Sequence, residues 1–135
     1  LCSACKKADL FDKYALQLPD KMEFFTEKDF PRSLPCDEKQ IQRAVLQAGK
    51  TRGLSFFAEF YELKSGAKKI LPEEIEATEW SLRPSGAYFY HQQLILQNET
   101  WSRTVVFFQK EEFAFYGSFL EKDPVNLSLM MPHIY

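Results

Sequence analysis

The chain has 135 residues and a mass of 15.8 kDa, room for one domain and not for two. Its 17 Lys and Arg face 19 Asp and Glu, a formal net charge of −2, which argues against a dedicated nucleic-acid binder with its basic excess or stripe. With 45% hydrophobic and 27% charged residues the chain is not a disordered polymer, and no apolar run approaches the roughly 18 residues of a membrane span.

Residues 1–21 read as an N-terminal arm with one helical turn near Ala8–Tyr14, ahead of a single β-rich domain over 22–135. The arm opens on Leu1-Cys2-Ser3-Ala4-Cys5-Lys6-Lys7. This resembles the tail of a bacterial lipobox, with Cys5 in the lipid-bearing place and Cys2 a poor match where the motif prefers Leu. The resemblance implies an exported protein, either periplasmic, anchored facing the periplasm, or extracellular, touching the membrane only through that anchor. The same Cys-x-x-Cys spacing could be half of a zinc site, but only Cys36, His91 and His133 remain to complete it. A redox pair needs a strand before it and a helix after it. Three cysteines leave one thiol over from any disulfide, whether Cys2–Cys36 or Cys5–Cys36. The sequons at Asn98 and Asn126 decide nothing without a eukaryotic secretory source.

Met22–Thr26 is a short apolar run suited to a first strand, and two prolines make Phe30–Cys36 a loop. Asp37 has the features of an N-cap with Gln40 in the capping-box place. Ile41, Ala44, Val45 and Ala48 then recur at helical spacing before Gly49, so the sequence predicts an amphipathic helix over Glu38–Ala48. Gly49-Lys50-Thr51 resembles the end of a phosphate-binding loop. The preceding glycine is missing, and a helix end with a solvated lysine is the simpler reading.

The remainder reads as strands: Gly53–Lys64, a short return over Ala67–Leu71, Ile75–Leu82, Tyr88–Gln97, Trp101–Gln109, Glu112–Leu120 and Val125–Met131. Turns are expected at Ser65-Gly66, Pro84-Ser85-Gly86, Asn98-Glu99, Lys110-Glu111 and Asp123-Pro124. Short connections predict an antiparallel meander of seven to eight strands in a mainly β (α+β) domain, curled into an up-and-down barrel. The layout is similar to that of the lipocalin and fatty-acid-binding (calycin) group, in architecture only. The alternative is a helix packed on a bent antiparallel sheet, as in cystatin-like or NTF2-like domains.

Catalytic signals are sparse. The carboxylates at 73, 74, 76 and 79, and at 111 and 112, read as solvated faces, and neither His91 nor His133 has a triad or metal partner at a recognisable spacing. Gly117-Ser118 lacks the surroundings of a nucleophile elbow. No enzyme activity, cofactor or metal is expected. The unusual feature is 13 Phe, 6 Tyr and 2 Trp, 16% of the chain, with rings on both faces of several strands. One face fills a core; the other needs a further layer, a ligand or a partner. The leading expectation is therefore an exported, non-enzymatic module. It would hold an apolar small molecule (fatty-acid-, sterol- or bile-acid-like) between Phe56, Phe60, Trp80, Tyr88, Tyr90, Trp101, Phe107, Phe113 and Phe115. His91 and Arg103, with Tyr88, would supply polar handles. An envelope protein could complete the pocket by pairing with an open sheet edge. The alternatives are a pure protein-interaction subunit or inhibitor, and an enzyme on an NTF2-like cone.

Overall fold

Alternating rings and small residues along Leu54–Leu63 call for a strand covered on both sides, and the computed structural model of the chain contains such a sheet. The structure describes residues 10–25, 38–70, 80–122 and 125–135. In chain order these form helix α1 (Leu10–Lys13), strand β1 (Glu23–Phe25), a 3₁₀ turn (Glu38–Gln40), β2 (Ile41–Thr51), β3 (Leu54–Leu63), β4 (Ser81–Leu82), β5 (Tyr88–Leu96), β6 (Glu99–Lys110), β7 (Phe113–Glu121) and helix α2 (Val125–Met130). The mainly β class holds. All seven strands pair antiparallel in one sheet of order β1-β2-β3-β7-β6-β5-β4. The sheet is open, with β1 and β4 at its edges, so the described strands do not close into a barrel. No helix among the described residues is long and apolar enough to cross a membrane.

Several expectations are corrected. The helix over Glu38–Ala48 is one 3₁₀ turn followed by β2, which pairs with β3 from Ile41↔Leu63 to Thr51↔Leu54. Its helical spacing has a local cause. The register shifts between Ile41 and Arg43, and this bulge puts Ile41 and Ala44 against the same buried cluster three residues apart. Gly49 is accordingly no helix cap. It lies within β2 where β1 crosses so closely that an added Cβ would stand 3.0 Å from the carbonyl oxygen of Glu23. Second, Val125–Met130 is helical, not a last strand. Leu127, Met130, Met131 and Ile134 are all at most 1% exposed while Leu129 is 65% exposed, which is burial at i, i+3, i+4 and i+7. Third, the meander is interrupted, because β3 lies beside β7 and not beside β4.

Between β3 and β4 the described residues are 64–70 and Trp80. Ala67–Ile70 is not a strand; the amide of Ile70 donates to the side-chain oxygen of Gln109 on β6 at 2.7 Å, and Gln109 Nε2 donates to the carbonyl of Lys68 at 3.3 Å. Ala67 and Ile70 thus pack on one face of the sheet, and the Trp80 ring lies 5.8 Å from that of Tyr90 on β5 just before β4 begins. The β5–β6 and β6–β7 turns each fall one residue from their expected places, at Gln97-Asn98 and Glu111-Glu112. Cys2, Cys5, Cys36, Asp37, the 30–36 loop, Ile75–Glu79 with its carboxylates, and Asp123-Pro124 lie outside the described residues.

Both faces are buried. On the first, Leu54, Phe56, Ala58 and Phe60 of β3, Phe113, Phe115 and Phe119 of β7, Val106 and Phe108 of β6 and Phe89 of β5 pack together. Tyr14 and α1 cover one end of this cluster, and α2 with the C-terminal Met131 and Ile134 complete it. On the second face Tyr61, Leu63, Val105, Phe107, Ala114 and Tyr116 pack beneath Ile70, Ala67 and Trp80. Rings on both faces therefore have protein over them, and the described covering of the second face is Ala67, Ile70 and Trp80, not a helix at 38–48.

Candidate functional site

The strands are unequal in length, and this isolates one part of the sheet. On β6, pairing with β7 ends at Ser102↔Glu121, while pairing with β5 continues to Leu96↔Glu99. Residues 94–101 therefore form a hairpin arm with, among the described residues, no third strand on the β7 side. Gln97 and Asn98 close it with φ of 50° and 63°, both left-handed, as a two-residue type I′ turn requires. Lys122 braces the base of the arm, its Nζ 5.2 Å from the Trp101 ring and 2.7 Å from Glu99 Oε2. Both ends of that ion pair are about half exposed, so it contributes little energy.

Among the described residues most of the outer side of β5 is bare as well. Strand β4 pairs with it only at Ser81↔Phe89 and Leu82↔Tyr88, and among the described residues no strand pairs with β5 beyond Phe89. The turn fixes which groups face outward. Leu96 and Glu99 flank it as a hydrogen-bonded pair, so even-numbered β5 residues direct their peptide groups to β6 and odd-numbered ones direct theirs away. Phe89 follows this rule, since its carbonyl accepts from Ser81 Oγ of β4. The outward groups beyond β4 are those of His91, Gln93 and Ile95. Beside them, the Ile95 side chain is 78% exposed and that of Leu96 is 40% exposed.

Next to this edge, His91, Gln92, Gln93, Ser102 and Thr104 line a shallow pocket of about 260 Å³. Arg83 Nη2 donates to His91 Nε2 at 3.3 Å. That bond assigns the ring proton to Nδ1, which donates to Thr104 Oγ1 at 3.0 Å. The Arg83 guanidinium also lies over the rings of Phe89 and Tyr135, at 4.8 and 5.2 Å. Burial lowers the His91 pKa below its ordinary value of 6.5, and the Arg83 charge acts in the same direction. In the unfolded chain His91 therefore binds its proton at higher pH than in the folded one. The His91 contribution to stability is present above pH 6.5 and is lost as pH falls through the folded pKa. Urea unfolding of the wild type and His91→Gln, compared at about pH 7.5 and pH 5, is expected to give a smaller loss on acidification in the variant. Equal losses would remove His91 from the account.

The eleven residues expected to line one ligand cavity do not share a face. Phe56, Phe60, Phe113 and Phe115 belong to the first face, with His91 at its rim. Trp80, Tyr88, Tyr90 and Phe107 belong to the second, and strand alternation puts Trp101 and Arg103 on that side too. The structure brings together Phe60 with Phe113 and Phe115, Trp80 with Tyr90, and Tyr88 with Phe107. Sequence reading missed Arg83, Gln93, Thr104 and Glu59. Glu59 is fully buried on the second face, accepting a hydrogen bond from the Tyr61 hydroxyl, although alternation alone makes it a solvent-facing position. Among the described residues no group of three His, Cys, Asp or Glu could hold a metal ion. Compared with known proteins, the chain matches no family model, no curated protein and no solved structure.

Proposed function

We propose that the protein is an interaction module that docks another polypeptide strand along the outer edge of β5, with the 94–101 arm as its anchor. One observation carries this reading: the outward peptide groups of His91, Gln93 and Ile95 sit beside the exposed side chains of Ile95 and Leu96. An extended segment laid along such an edge gains main-chain hydrogen bonds, and alternate apolar side chains give it selectivity. Holding a fatty-acid- or sterol-like molecule is less well supported, because the rings it needs are divided between two faces and largely packed on one another.

Selection from a library of displayed peptides tests the reading. Extended peptides with alternating apolar residues are expected to bind the wild type. Ile95→Asp is expected to weaken them tenfold or more, since it sets a charge against the apolar contact. The position is 78% exposed, so folding stability should change by no more than about 0.5 kcal/mol. Peptides that bind both forms equally would place docking elsewhere.

A further inference from the structure

We propose that the strand docked on this edge belongs to a second copy of the same chain, paired antiparallel to β5 about a two-fold axis at Gln93. The inference rests on the interaction reading above and commits it to one partner. Its first support is length. Among the described residues the open edge runs from Tyr90, where β4 has ended, to Leu96, where the turn begins. Centred on Gln93, the pairing sets Tyr90 against Leu96 of the second copy, and both ends stop where β4 already occupies the edge. Moving the centre to Gln92 or Leu94 shortens the overlap and leaves one end of the edge uncovered.

The second support is hydrogen-bond parity. In this register Gln93 opposes Gln93, and His91 opposes Ile95 of the second copy. Every outward peptide group then meets another outward group, in reciprocal pairs about 5.5 Å apart at Cα. A slip of one residue would oppose outward groups to groups already bonded to β6.

The third support is charge. A two-fold pairing places like near like, so a charged edge repels itself. From Tyr88 to Asn98 the chain contains no Asp, Glu, Lys or Arg, and the burial and Arg83 contact at His91 favour its neutral ring. Natural edges that stay single carry such charges as guards. The opposite edge of this sheet does: β1 is short, contains Glu23 and is preceded by Lys21. The fourth support is apolar cover. The pairing lays Tyr90 over Leu96 and His91 over Ile95, the most exposed large apolar side chain described.

Sedimentation of the whole chain across the micromolar range is the test, joined to two substitutions. Gln93→Pro deletes an outward amide without touching the β5–β6 ladder, so the monomer should fold while dimerisation weakens tenfold or more. Gln93→Cys, in a background with Cys2→Ser, Cys5→Ser and Cys36→Ser, should oxidise to a disulfide-linked dimer, because directly opposed Cα atoms fall within disulfide reach. Thr100→Cys in the same background should not. A wild-type monomer at every concentration whose edge still binds extended peptides overturns the second copy and leaves the interaction reading standing. A monomer that binds no peptide overturns both. A dimer untouched by Gln93→Pro, or one that fails to cross-link through Gln93→Cys, overturns this interface.

Discussion

Phe113→Ala is expected to lower the unfolding free energy by about 3–5 kcal/mol, a large share of the roughly 5–15 kcal/mol that holds a domain together. Phe113 is fully buried at the start of β7, where the N-terminal arm meets the sheet. Its ring stacks on Tyr14 at 4.5 Å and meets Phe11 edge-on at 6.0 Å, both from the α1 segment. Phe60 of β3 and Phe108 of β6 approach it at 6.4 and 6.3 Å. Truncation therefore removes a large apolar side chain, leaves a cavity among rigid rings and takes away the surface on which the arm rests. Urea unfolding followed by circular dichroism checks the size of the loss. A change below about 1 kcal/mol would mean that the surrounding rings collapse freely into the space.

The opposite error, adding atoms, is expected to be nearly as damaging at Gly117. This glycine sits mid-strand in β7, opposite Ala58 of β3 and Val106 of β6. The small row leaves a furrow into which Phe115 and Phe119 lean from either side along the same strand. An added Cβ would lie 2.6 Å from Phe119 Cε1 and 2.9 Å from Phe115 Cζ. Neither ring has room to retreat, because Phe115 packs on Phe60 at 5.0 Å and Phe119 on Phe56 at 6.0 Å. Gly117→Ala should cost about 1–3 kcal/mol, the range of overpacked cores, and Gly117→Val more. Thermal unfolding of the two variants tests the order, and a neutral alanine would show that the furrow is wider than its contacts indicate.

Strands β3, β5, β6 and β7 were legible in the sequence because alternation and turn chemistry agree there. Leu54, Phe56 and Phe60 alternate with Phe57, Glu59 and Tyr61, and Pro84-Ser85-Gly86 closes a turn in which Gly86 has φ of 92°. Two of the misread elements failed for opposite reasons. At Ile41 and Ala44 a bulge imitated helical spacing, and ten paired residues of β3 then outweighed the capping signals. At the C-terminus the helical spacing was real, in Leu127, Met130, Met131 and Ile134, but Val125, Leu127, Leu129 and Met131 also fit a strand. Choosing between the two periods requires knowing which face is buried, and that is a tertiary fact.

The site was only half legible. The excess of rings correctly implied layers on both sides of the sheet, whereas the expected single cavity did not follow from it. What isolates the β5 edge is the difference in length between β4, β5 and β7, and strand lengths are set by pairing partners far away in the chain. Arg83 precedes a proline in a turn and gave no sign that it would reach His91.

The central claim, that the outer edge of β5 is open in the single chain and filled by pairing, is tested most directly by amide hydrogen exchange resolved by residue and followed against concentration. At high dilution the amides of Gln92 and Leu94, bonded to β6, should be protected, while those of His91, Gln93 and Ile95 exchange rapidly. Raising the concentration should slow the odd-numbered amides and leave the even-numbered ones unchanged. Odd-numbered amides protected equally at every dilution would contradict the account, because the edge would then be covered from within the chain.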